Sequence, residues 1–234
     1  MTVAILQARM SSTRLPGKVM KPLAGRPMIE RQLERLRRSA GLRLVVATST
    51  DASDDPLAGH LRDIGVDVFR GSLDDVLDRF VGAARTFGAE GQVIRLTADC
   101  PLADPGVIDD CVRLRTELGV DYASNGRRRT YPRGLDVEVF TLEALLAAGR
   151  EATDPYDREH VTPYLYRHPE RFTQGELVQA RDESHLRWTV DTPDDFTFVE
   201  RVYDSLYAGK PDFTSDDIRA LPFSHFEPNP QERP

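Results

Sequence analysis

Three apolar runs near the start of the chain constrain the fold more than any other feature: VAILQA (3–8), RLVVATS (43–49) and QVIRLTA (92–98). Runs of this kind are typical of strands that are buried on both faces. A short strand is predicted at 66–70, and helix-like stretches alternate with the strands at 27–40, 55–65 and 73–88. This alternation predicts an α/β fold with a doubly wound, mostly parallel sheet and right-handed crossovers.

The second half of the chain has shorter and more mixed elements. Helices are predicted at 105–118, 141–152, 157–167 and 193–208. Strands are predicted at 121–124, 134–141, 172–180 and 186–191. The stretch at 134–141, GLDVEVFT, alternates polar and apolar residues, which is typical of a strand with one polar face. Because no repeat and no clear linker interrupts the pattern, we expect a single domain that ends in a frayed tail, NPQERP.

The basic residues are concentrated at the start of an otherwise acidic chain. The formal net charge is -7, yet residues 1–38 hold nine Lys or Arg and only two Asp or Glu. The remainder therefore holds 22 basic and 36 acidic residues. This distribution argues against nucleic acid as a partner of the whole surface, but it suits a small anion held by the basic region.

Cysteine content and hydropathy indicate the cellular compartment in which the protein is expected. The two cysteines, Cys100 and Cys111, lack the spacing of metal ligands, and the chain shows neither a signal peptide nor a long apolar segment. We therefore expect a protein of the reducing cytoplasm with no membrane partner.

The loop after the first strand, QARMSSTRLPGKVMKPLAGRPM (7–28), has the composition of a phosphate-binding loop. It holds five basic residues, two glycines and no acid. Its first part combines cations, hydroxyls and a glycine that lets backbone N–H groups approach an anion: Arg9, Ser11, Ser12, Thr13, Arg14, Gly17 and Lys18. It matches neither the P-loop nor the G-x-G-x-x-G pattern. A solvated basic loop is the alternative interpretation.

Two aspartates stand where predicted strands end. Asp99 follows QVIRLTA, and Asp191 follows RWTV and precedes a helix that opens with Pro193. A carboxylate at the tip of a buried strand needs a cap, a salt bridge or a divalent cation to offset its desolvation. Mg²⁺ prefers one or two carboxylates together with phosphate oxygens and water. With the basic loop, the pair indicates a nucleoside triphosphate bound with Mg²⁺; the alternative is that each aspartate caps a turn or helix.

Six segments resemble the cytidylyltransferases that make CMP-activated acid sugars, and most of all their SpsF-like branch: residues 7–36, 69–80, 95–105, 125–140, 158–166 and 187–196. The likeness extends over residues 3–222. It implies the GT-A-like fold of nucleotide-diphospho-sugar transferases. On this basis we divide the single domain into a nucleotide-binding half (1–104), an acceptor-binding half (105–222) with a small β-containing subregion, and a tail (223–234).

The resemblance implies a reaction and its cofactor. CMP passes from CTP to an acidic sugar or a similar small anionic acceptor, as an acceptor oxygen attacks the α-phosphorus in line and pyrophosphate is released. Mg²⁺ is the implied cofactor, surface polysaccharide synthesis the implied setting, and a homodimer is compatible with the family.

The resemblance also assigns residues to the nucleotide and the metal. Lys18, Arg9 and Arg14 hold the triphosphate and form the catalytic set, with Lys18 as the leading candidate. Asp99 and Asp191 hold Mg²⁺, and Asp99 also contacts the nucleotide. The other predicted nucleotide contacts frame the cytosine and ribose or belong to the basic loop: Leu6, Gln7, Ala8, Ser12, Arg70, Gly71 and Ser72.

Acceptor binding is expected in the second half of the chain. Asp136 and Glu138 fall on one face of the predicted strand 134–141, where two like charges require either water or a polar ligand. His160 is a candidate general base, and the alternative is a hydrogen-bonded packing residue. With His160, the resemblance places a further set near the acceptor: Tyr131, Arg133, Arg158 and Glu159.

Two other functions stay open at this level. One is a glycosyltransferase of the same fold that uses a nucleotide-sugar donor, although a diphosphate donor needs fewer cations and no D-x-D motif accompanies Asp99. The other is a non-catalytic nucleotide-binding scaffold, which would not need Lys18, Asp99 and Asp191 together.

Overall fold

The computed structural model describes residues 1–224, in which a seven-stranded sheet has the order β5-β4-β1-β6-β8-β7-β9. β8 is antiparallel to both of its neighbours, and every other pair in the sheet is parallel. The strands are β1 (Thr2–Gln7), β4 (Leu42–Ser49), β5 (Asp67–Gly71), β6 (Gln92–Thr97), β7 (Tyr122–Ser124), β8 (Glu138–Thr141) and β9 (Gln174–Glu176). A separate two-stranded hairpin consists of β2 (Pro22–Leu23) and β3 (Arg26–Pro27).

Helices connect most of the strands. They are α1 (Met28–Leu36), α2 (Asp55–Asp63), α3 (Val76–Thr86), α4 (Pro105–Leu118), α5 (Leu142–Glu151), α6 (Pro155–His160), α7 (Pro163–Arg167), α8 (Pro193–Leu206) and α9 (Ser215–Arg219). Several of these helices begin after an N-cap residue whose side-chain oxygen accepts a hydrogen bond from an otherwise unpaired backbone N–H group. Thr141 caps α5 in this way, and Thr192 forms a reciprocal capping box with Asp195 at the start of α8.

The apolar run of β1 is buried from both sides. Ala4 and Leu6 belong to one buried cluster, which includes Leu33 of α1 and other apolar residues of α2, α4 and α8. Val3 and Ile5 belong to a second cluster on the other face, with residues of α3 and α5. Helices therefore cover both faces of the sheet, which confirms the predicted doubly wound, mostly parallel architecture.

The parallel register brings the loops after β1 and β6 side by side. Gln7 pairs with Thr97, and the next residues continue the contact, since the N–H of Ala98 donates to the carbonyl of Gln7 at 3.0 Å. The basic loop and Asp99 therefore emerge from the same carboxyl edge of the sheet, where ligands of such folds bind.

Two predicted strands in the second half differ from the structure because distant segments take their hydrogen bonds. The strand predicted at 134–141 begins only at Glu138, because the amide of Asn125 bonds the Leu135 carbonyl at 2.6 Å and the Val137 N–H at 2.9 Å. The stretch 186–191 forms no strand. Its backbone partners lie outside the named strands, since Arg187 forms an isolated parallel bridge with Arg133 and the N–H of Val190 donates to the Asp99 carbonyl.

Other boundaries differ for local reasons. The helix predicted at 157–167 is two helices, α6 and α7, because Val161 has a left-handed φ of 73°. The strand predicted at 172–180 contains only Gln174–Glu176. The predicted tail NPQERP lies outside the described residues.

None of the helices within residues 1–224 combines the length and the apolar character that a membrane span requires.

Candidate active site

A cavity of 350 Å³ opens at the carboxyl edge of the sheet, between the ends of β1 and β6. Four cations and two carboxylates line it. Its wall is formed by Gln7, Ala8, Arg9, Ser12, Thr13, Arg14, Lys18, Val19, Arg95, Thr97, Ala98, Asp99 and Asp191. We call it the first cavity.

The basic loop is folded by its own backbone and by a buried aspartate. The carbonyl of Met10 accepts from the N–H groups of Ser12 and Gly17, both at 2.9 Å, and Gly17 has a φ of 69° that favours glycine. The carboxylate of Asp54 is buried and accepts from the Met10 N–H at 2.6 Å and the Ser49 N–H at 3.1 Å. Asp54 therefore ties the loop to the end of β4.

Lys18 connects residues that lie far apart in the sequence. It is buried in a short 3₁₀ turn, and its Nζ donates to the Val190 carbonyl at 2.6 Å and to Asp191 Oδ1 at 3.0 Å. The same Nζ lies 3.9 Å from Asp99 Oδ2. The structure thus brings Lys18, Asp99 and Asp191 into one cluster.

Asp191 is surrounded by cations. In addition to Lys18, Arg187 donates to its Oδ2 at 2.6 Å, and the Arg14 guanidinium lies 3.3 Å from the same oxygen. Burial by itself raises the pKa of Asp191, but Lys18, Arg187 and Arg14 together hold the pKa below its usual value. Arg187 is fixed in turn by the fully buried carboxylate of Asp195, 3.0 Å from its Nε. Asp191 therefore presents a carboxylate at neutral pH.

The donor set at this cluster fits a divalent cation held jointly with phosphate. Asp99 and Asp191 both face the first cavity, and carboxylate oxygens are the ligands that Mg²⁺ prefers. No group of three or more acidic, His or Cys side chains suited to a metal occurs within residues 1–224, so a cation held by this pair would take its other ligands from phosphate, water or further oxygen groups. Asp99 is less tightly paired with cations than Asp191, because its ion pair with Lys18 is 3.9 Å long.

A second cavity of 470 Å³ adjoins the first. Arg95, Thr97, Asp99 and Asp191 line both. The rest of its wall is formed by Cys100, Tyr122, Ser124, Gly126, Arg127, Arg129, Arg133, Gly134, Asp136, Glu138, Tyr166, Arg187 and Thr189. The cluster around Asp99 and Asp191 therefore stands at the junction of two ligand-sized spaces.

The predicted pair Asp136 and Glu138 does face the second cavity, but each has an arginine partner. Arg129 forms a short ion pair with Asp136, and Arg95 forms one with Glu138. The predicted repulsion between two like charges on one strand is thus relieved by neighbouring arginines. Burial and the Glu138 carboxylate raise the pKa of Tyr122, whose hydroxyl donates to Glu138 at 2.7 Å.

Two cations of the second cavity have no carboxylate partner within residues 1–224. Arg127 stacks on the ring of Tyr166, with 4.1 Å between the guanidinium carbon and the ring centroid. The side chain of Arg133 makes no hydrogen bond or ion pair with the described part of the chain, although its backbone bonds Leu186 and Trp188. These two arginines are available to an anionic ligand.

Glu159 and His160 lie in a third, smaller cavity of 150 Å³ and do not line the second. Their neighbours there include Arg9, Ala8 and Arg79. The ring of His160 packs on Tyr156 at 4.2 Å between centroids. Arg79 is buried, and its Nε has no hydrogen-bond partner among the described residues.

Other predicted site residues are engaged elsewhere. Arg70 bonds the carbonyls of Ser49 and Asp51, and Ser72 accepts from the Asp75 N–H. Gly71 accepts from the Thr50 N–H at the end of β5, and Leu6 is buried in the sheet. Tyr131 packs in the apolar core, and Arg158 pairs with Asp75 at 2.5 Å. None of these lines any of the three cavities: Leu6, Arg70, Gly71, Ser72, Tyr131 and Arg158.

Five arginines of these cavities are not among the residues predicted from the sequence: Arg79, Arg95, Arg127, Arg129 and Arg187. Three of them stand inside apolar patterns. Arg95 interrupts the apolar run QVIRLTA, Arg187 stands in LRWTV, and Arg79 lies on the buried side of α3. A charged residue inside an apolar pattern is the signal that identifies such positions, because burying it requires partners.

Known proteins resemble this chain over most of its length. The cytidylyltransferase family matches residues 3–210. The spore coat polysaccharide biosynthesis protein SpsF of Bacillus subtilis is 35% identical over 93% of this chain and 92% of its own. A 3-deoxy-manno-octulosonate cytidylyltransferase of Anaeromyxobacter sp. is 37% identical over 88% of this chain and 97% of its own.

One solved structure is similar to this chain in fold as well as in sequence. The structure of a cytidylyltransferase from Leptospira borgpetersenii has a TM-score of 0.87 and 35% identity, and the match covers 93% of this chain and 92% of that one. The matched family region contains the basic loop, Asp99 and Asp191. The resemblance to SpsF-like proteins and the predicted enzyme class are confirmed. The chain belongs to the cytidylyltransferase family and is a nucleotidyltransferase.

Proposed function

We propose that the protein is a Mg²⁺-dependent cytidylyltransferase that transfers CMP from CTP to an acidic sugar or a similar small anionic acceptor. The observation that carries this proposal is the cluster of Lys18, Asp99 and Asp191, whose two carboxylates line both the first and the second cavity. A nucleotide in one cavity and an acceptor in the other would meet at this cluster. Surface polysaccharide biosynthesis is the proposed setting, in line with the name of the SpsF relative.

The charge of the first cavity supports a triphosphate as its ligand. Arg9, Arg14 and Lys18 come from one loop, and Arg9 has no carboxylate partner within residues 1–224. Cations on several sides of a triphosphate neutralise its charge and orient it. We assign nucleotide binding to residues 1–104, with Asp191 as the contribution of the second half.

The proposed metal belongs to the same cluster. Asp99 and Asp191 would hold Mg²⁺ together with phosphate oxygens, and the ion would offset the negative charge that develops on the phosphates. The protein contributes Lys18, which keeps the two carboxylates together and presents its own charge to the phosphates.

The second cavity supports an anionic acceptor. Its acidic side chains are all paired, whereas Arg127 and Arg133 are available to a carboxylate. The relative from Anaeromyxobacter, named for 3-deoxy-manno-octulosonate, supports an acidic sugar. We therefore assign acceptor binding to residues 105–222. His160 lines the third cavity together with Arg9 and does not line the second, so we assign it to the nucleotide side rather than to the acceptor side.

The test measures pyrophosphate release with CTP, ATP, GTP and UTP, each combined with 3-deoxy-manno-octulosonate, nonulosonic acids and other hydroxylated acids. We expect release with CTP and one class of acidic acceptor, and formation of the CMP conjugate by mass spectrometry. CTP alone should also raise the thermal midpoint more than the other triphosphates do. A preference for another base, or cleavage of a nucleotide sugar without triphosphate use, would contradict the proposal.

A homodimer stays a prediction of the family resemblance. Size-exclusion chromatography with light scattering tests it, and a mass near the 26.3 kDa of one chain would contradict it.

A further inference from the structure

Arg95 has a position that no other cation of residues 1–224 shares. It lies in β6 and lines both the first and the second cavity, whereas the remaining cations of these walls line only one. Burying an arginine in an apolar strand costs free energy unless its charge is paired or contacts a ligand. The junction of the two cavities is also where a nucleotide and an acceptor would be joined.

Two side chains on neighbouring strands fix the guanidinium of Arg95. Its Nε donates to Gln7 Oε1 at 3.1 Å, and its Nη1 forms a short hydrogen bond to Glu138 Oε2. The pair is largely buried, with 15% of each side chain exposed. Burial lowers the pKa of Arg95, but the Glu138 carboxylate more than offsets this and raises it overall. The guanidinium is therefore charged and rigidly oriented.

One nitrogen of this guanidinium is still available. The Nη2 of Arg95 donates no hydrogen bond to residues 1–224, and it is not among their buried unpaired atoms. A purely structural ion pair would explain the contacts to Gln7 and Glu138, but it would not require that an arginine with a free nitrogen line two ligand cavities. A preoriented donor with a free N–H is the arrangement that stabilises developing negative charge.

We propose that Arg95 is a catalytic residue that binds the α-phosphoryl group at the junction of the two cavities. This inference rests on the proposed function. In the step, the acceptor hydroxyl oxygen forms a bond to the α-phosphorus, and the bond from that phosphorus to the oxygen bridging the β-phosphorus breaks. The electron pair leaves with pyrophosphate, and the hydroxyl proton passes to solvent water. Arg95 stabilises the charge on the non-bridging α-oxygens during the transfer.

Glu138 then acts as a positioning residue for Arg95. Its Oε2 accepts from Arg95, and its Oε1 accepts from the Tyr122 hydroxyl at 2.7 Å and the Thr162 hydroxyl at 2.6 Å. These contacts use both oxygens of the carboxylate, so they orient Glu138 toward the guanidinium and away from a role as base for the acceptor. Gln7 supports the opposite side of the same guanidinium.

The first experiment compares wild type, Arg95→Lys and Arg95→Ala in the pyrophosphate-release assay with CTP and the acceptor that wild type uses. We expect kcat of Arg95→Ala to fall by about 100-fold to 1,000-fold, as for other lost charge-stabilising donors. The thermal shift by CTP should persist, since Arg9, Arg14 and Lys18 remain. Added guanidinium should restore part of the activity of Arg95→Ala, but none of the activity of Lys18→Met.

A matched control and a second variant keep the test decisive if Arg95→Ala is unstable. Arg43 on β4 forms a more exposed ion pair with Asp67 outside the first and second cavities, so Arg43→Ala should leave kcat unchanged. The double variant Arg95→Met, Glu138→Gln removes both charges and leaves no buried ion alone. If either folded Arg95 variant, Arg95→Ala or the double variant, transfers CMP at the wild-type rate, the inference is wrong. If wild type transfers no CMP, the proposed function fails instead.

The second experiment separates positioning from packing at Glu138. We expect Glu138→Gln to lower kcat about 10-fold in the wild-type background and to have little further effect in the Arg95→Lys background. Such coupling is the signature of an effect that passes through Arg95. Equal losses in both backgrounds would contradict the positioning role.

Discussion

The first and second cavities adjoin, yet they differ in the balance between their cationic and acidic side chains. In the first, four cations face two carboxylates, and Arg9 has no carboxylate partner within residues 1–224. In the second, the four carboxylates are paired with lysine or arginine, and only Arg127 and Arg133 stay without an acidic partner in the described chain. An excess of positive charge suits a polyanion, whereas near-balance suits a small ligand with one acidic group.

The contrast extends to how each cavity is built. The cations of the first cavity come mainly from one loop, 7–28, that follows β1. The second cavity draws on strands, loops and helices between Arg95 and Asp191. A single loop after a buried strand supplies most of the cations of the first cavity. The second cavity depends instead on the arrangement of many segments.

The largest effect expected is that of Lys18→Met on the first cavity. The variant removes the cation that joins Asp99 and Asp191, and we expect kcat/KM for CTP to fall by about 1,000-fold. Pyrophosphate release measures it. Lys21→Met is the matched control, because Lys21 stacks on Phe196 and lines neither large cavity. Near-wild-type use of CTP by Lys18→Met would remove the basis for calling this space the nucleotide cavity.

Metal dependence should distinguish the two carboxylates at the junction. Asp191 is held by Lys18, Arg14 and Arg187, whereas Asp99 has one long ion pair. We expect Asp99→Asn to raise the Mg²⁺ concentration for half-maximal activity by about 100-fold, and Asp191→Asn to do so less. Titration with Mg²⁺ measures both. The reverse order would mean that Asp191, in spite of its cations, is the main ligand.

Stability should depend on the charge network that supports the junction. Asp195 is fully buried and accepts from Arg187 Nε at 3.0 Å and from the N–H groups of Asp191 and Thr192. Asp195→Asn should lower the free energy of unfolding by about 3 kcal/mol, because it removes a fully buried charge that pairs with Arg187 and leaves Asp191 as the remaining carboxylate partner of that guanidinium. Urea unfolding measures the change. Asp216→Asn, an exposed control paired with Arg219, should change it by less than about 1 kcal/mol.

The smallest effect expected is confined to the second cavity. Arg133→Ala removes a cation without a carboxylate partner, and we expect the acceptor KM to rise about 10-fold while CTP binding is unchanged. Steady-state kinetics with varied acceptor and a CTP thermal shift measure the two. Arg113→Ala, on the exposed side of α4, serves as the control. A matching loss of CTP binding would show that the two cavities are not separate binding sites.

Local patterns predicted the strands of the first half and failed more often in the second. The run VAILQA became β1 because it is buried on both faces. The alternation at 134–141 indicated a strand, yet Asn125 occupies the hydrogen bonds of its first part. A side-chain amide from a distant segment is invisible to a pattern that considers only neighbouring residues.

The site residues divide in the same way. Lys18, Asp99 and Asp191 were predicted from strand ends and loop composition, and the structure brings them together. The resemblance assigns Arg70 and Arg158 to ligands; in this structure they bond carbonyls and Asp75 and line none of the three cavities, and their roles at a ligand stay predictions. The sequence does not predict a site role for Arg95, because its position within an apolar strand is determined by local periodicity whereas its cavities are formed by distant segments.

Short stretches of the chain are enough to predict the α/β alternation, the concentration of cations after β1 and the carboxylates at Asp99 and Asp191, since these follow from periodicity and composition. The folded chain is needed to show that Lys18 reaches Asp191 across 173 positions, and that Arg95 lines two cavities while Arg127 and Arg133 stay without carboxylate partners among the described residues. A charge acquires its role from its partners, and those partners are set by the paths of distant loops.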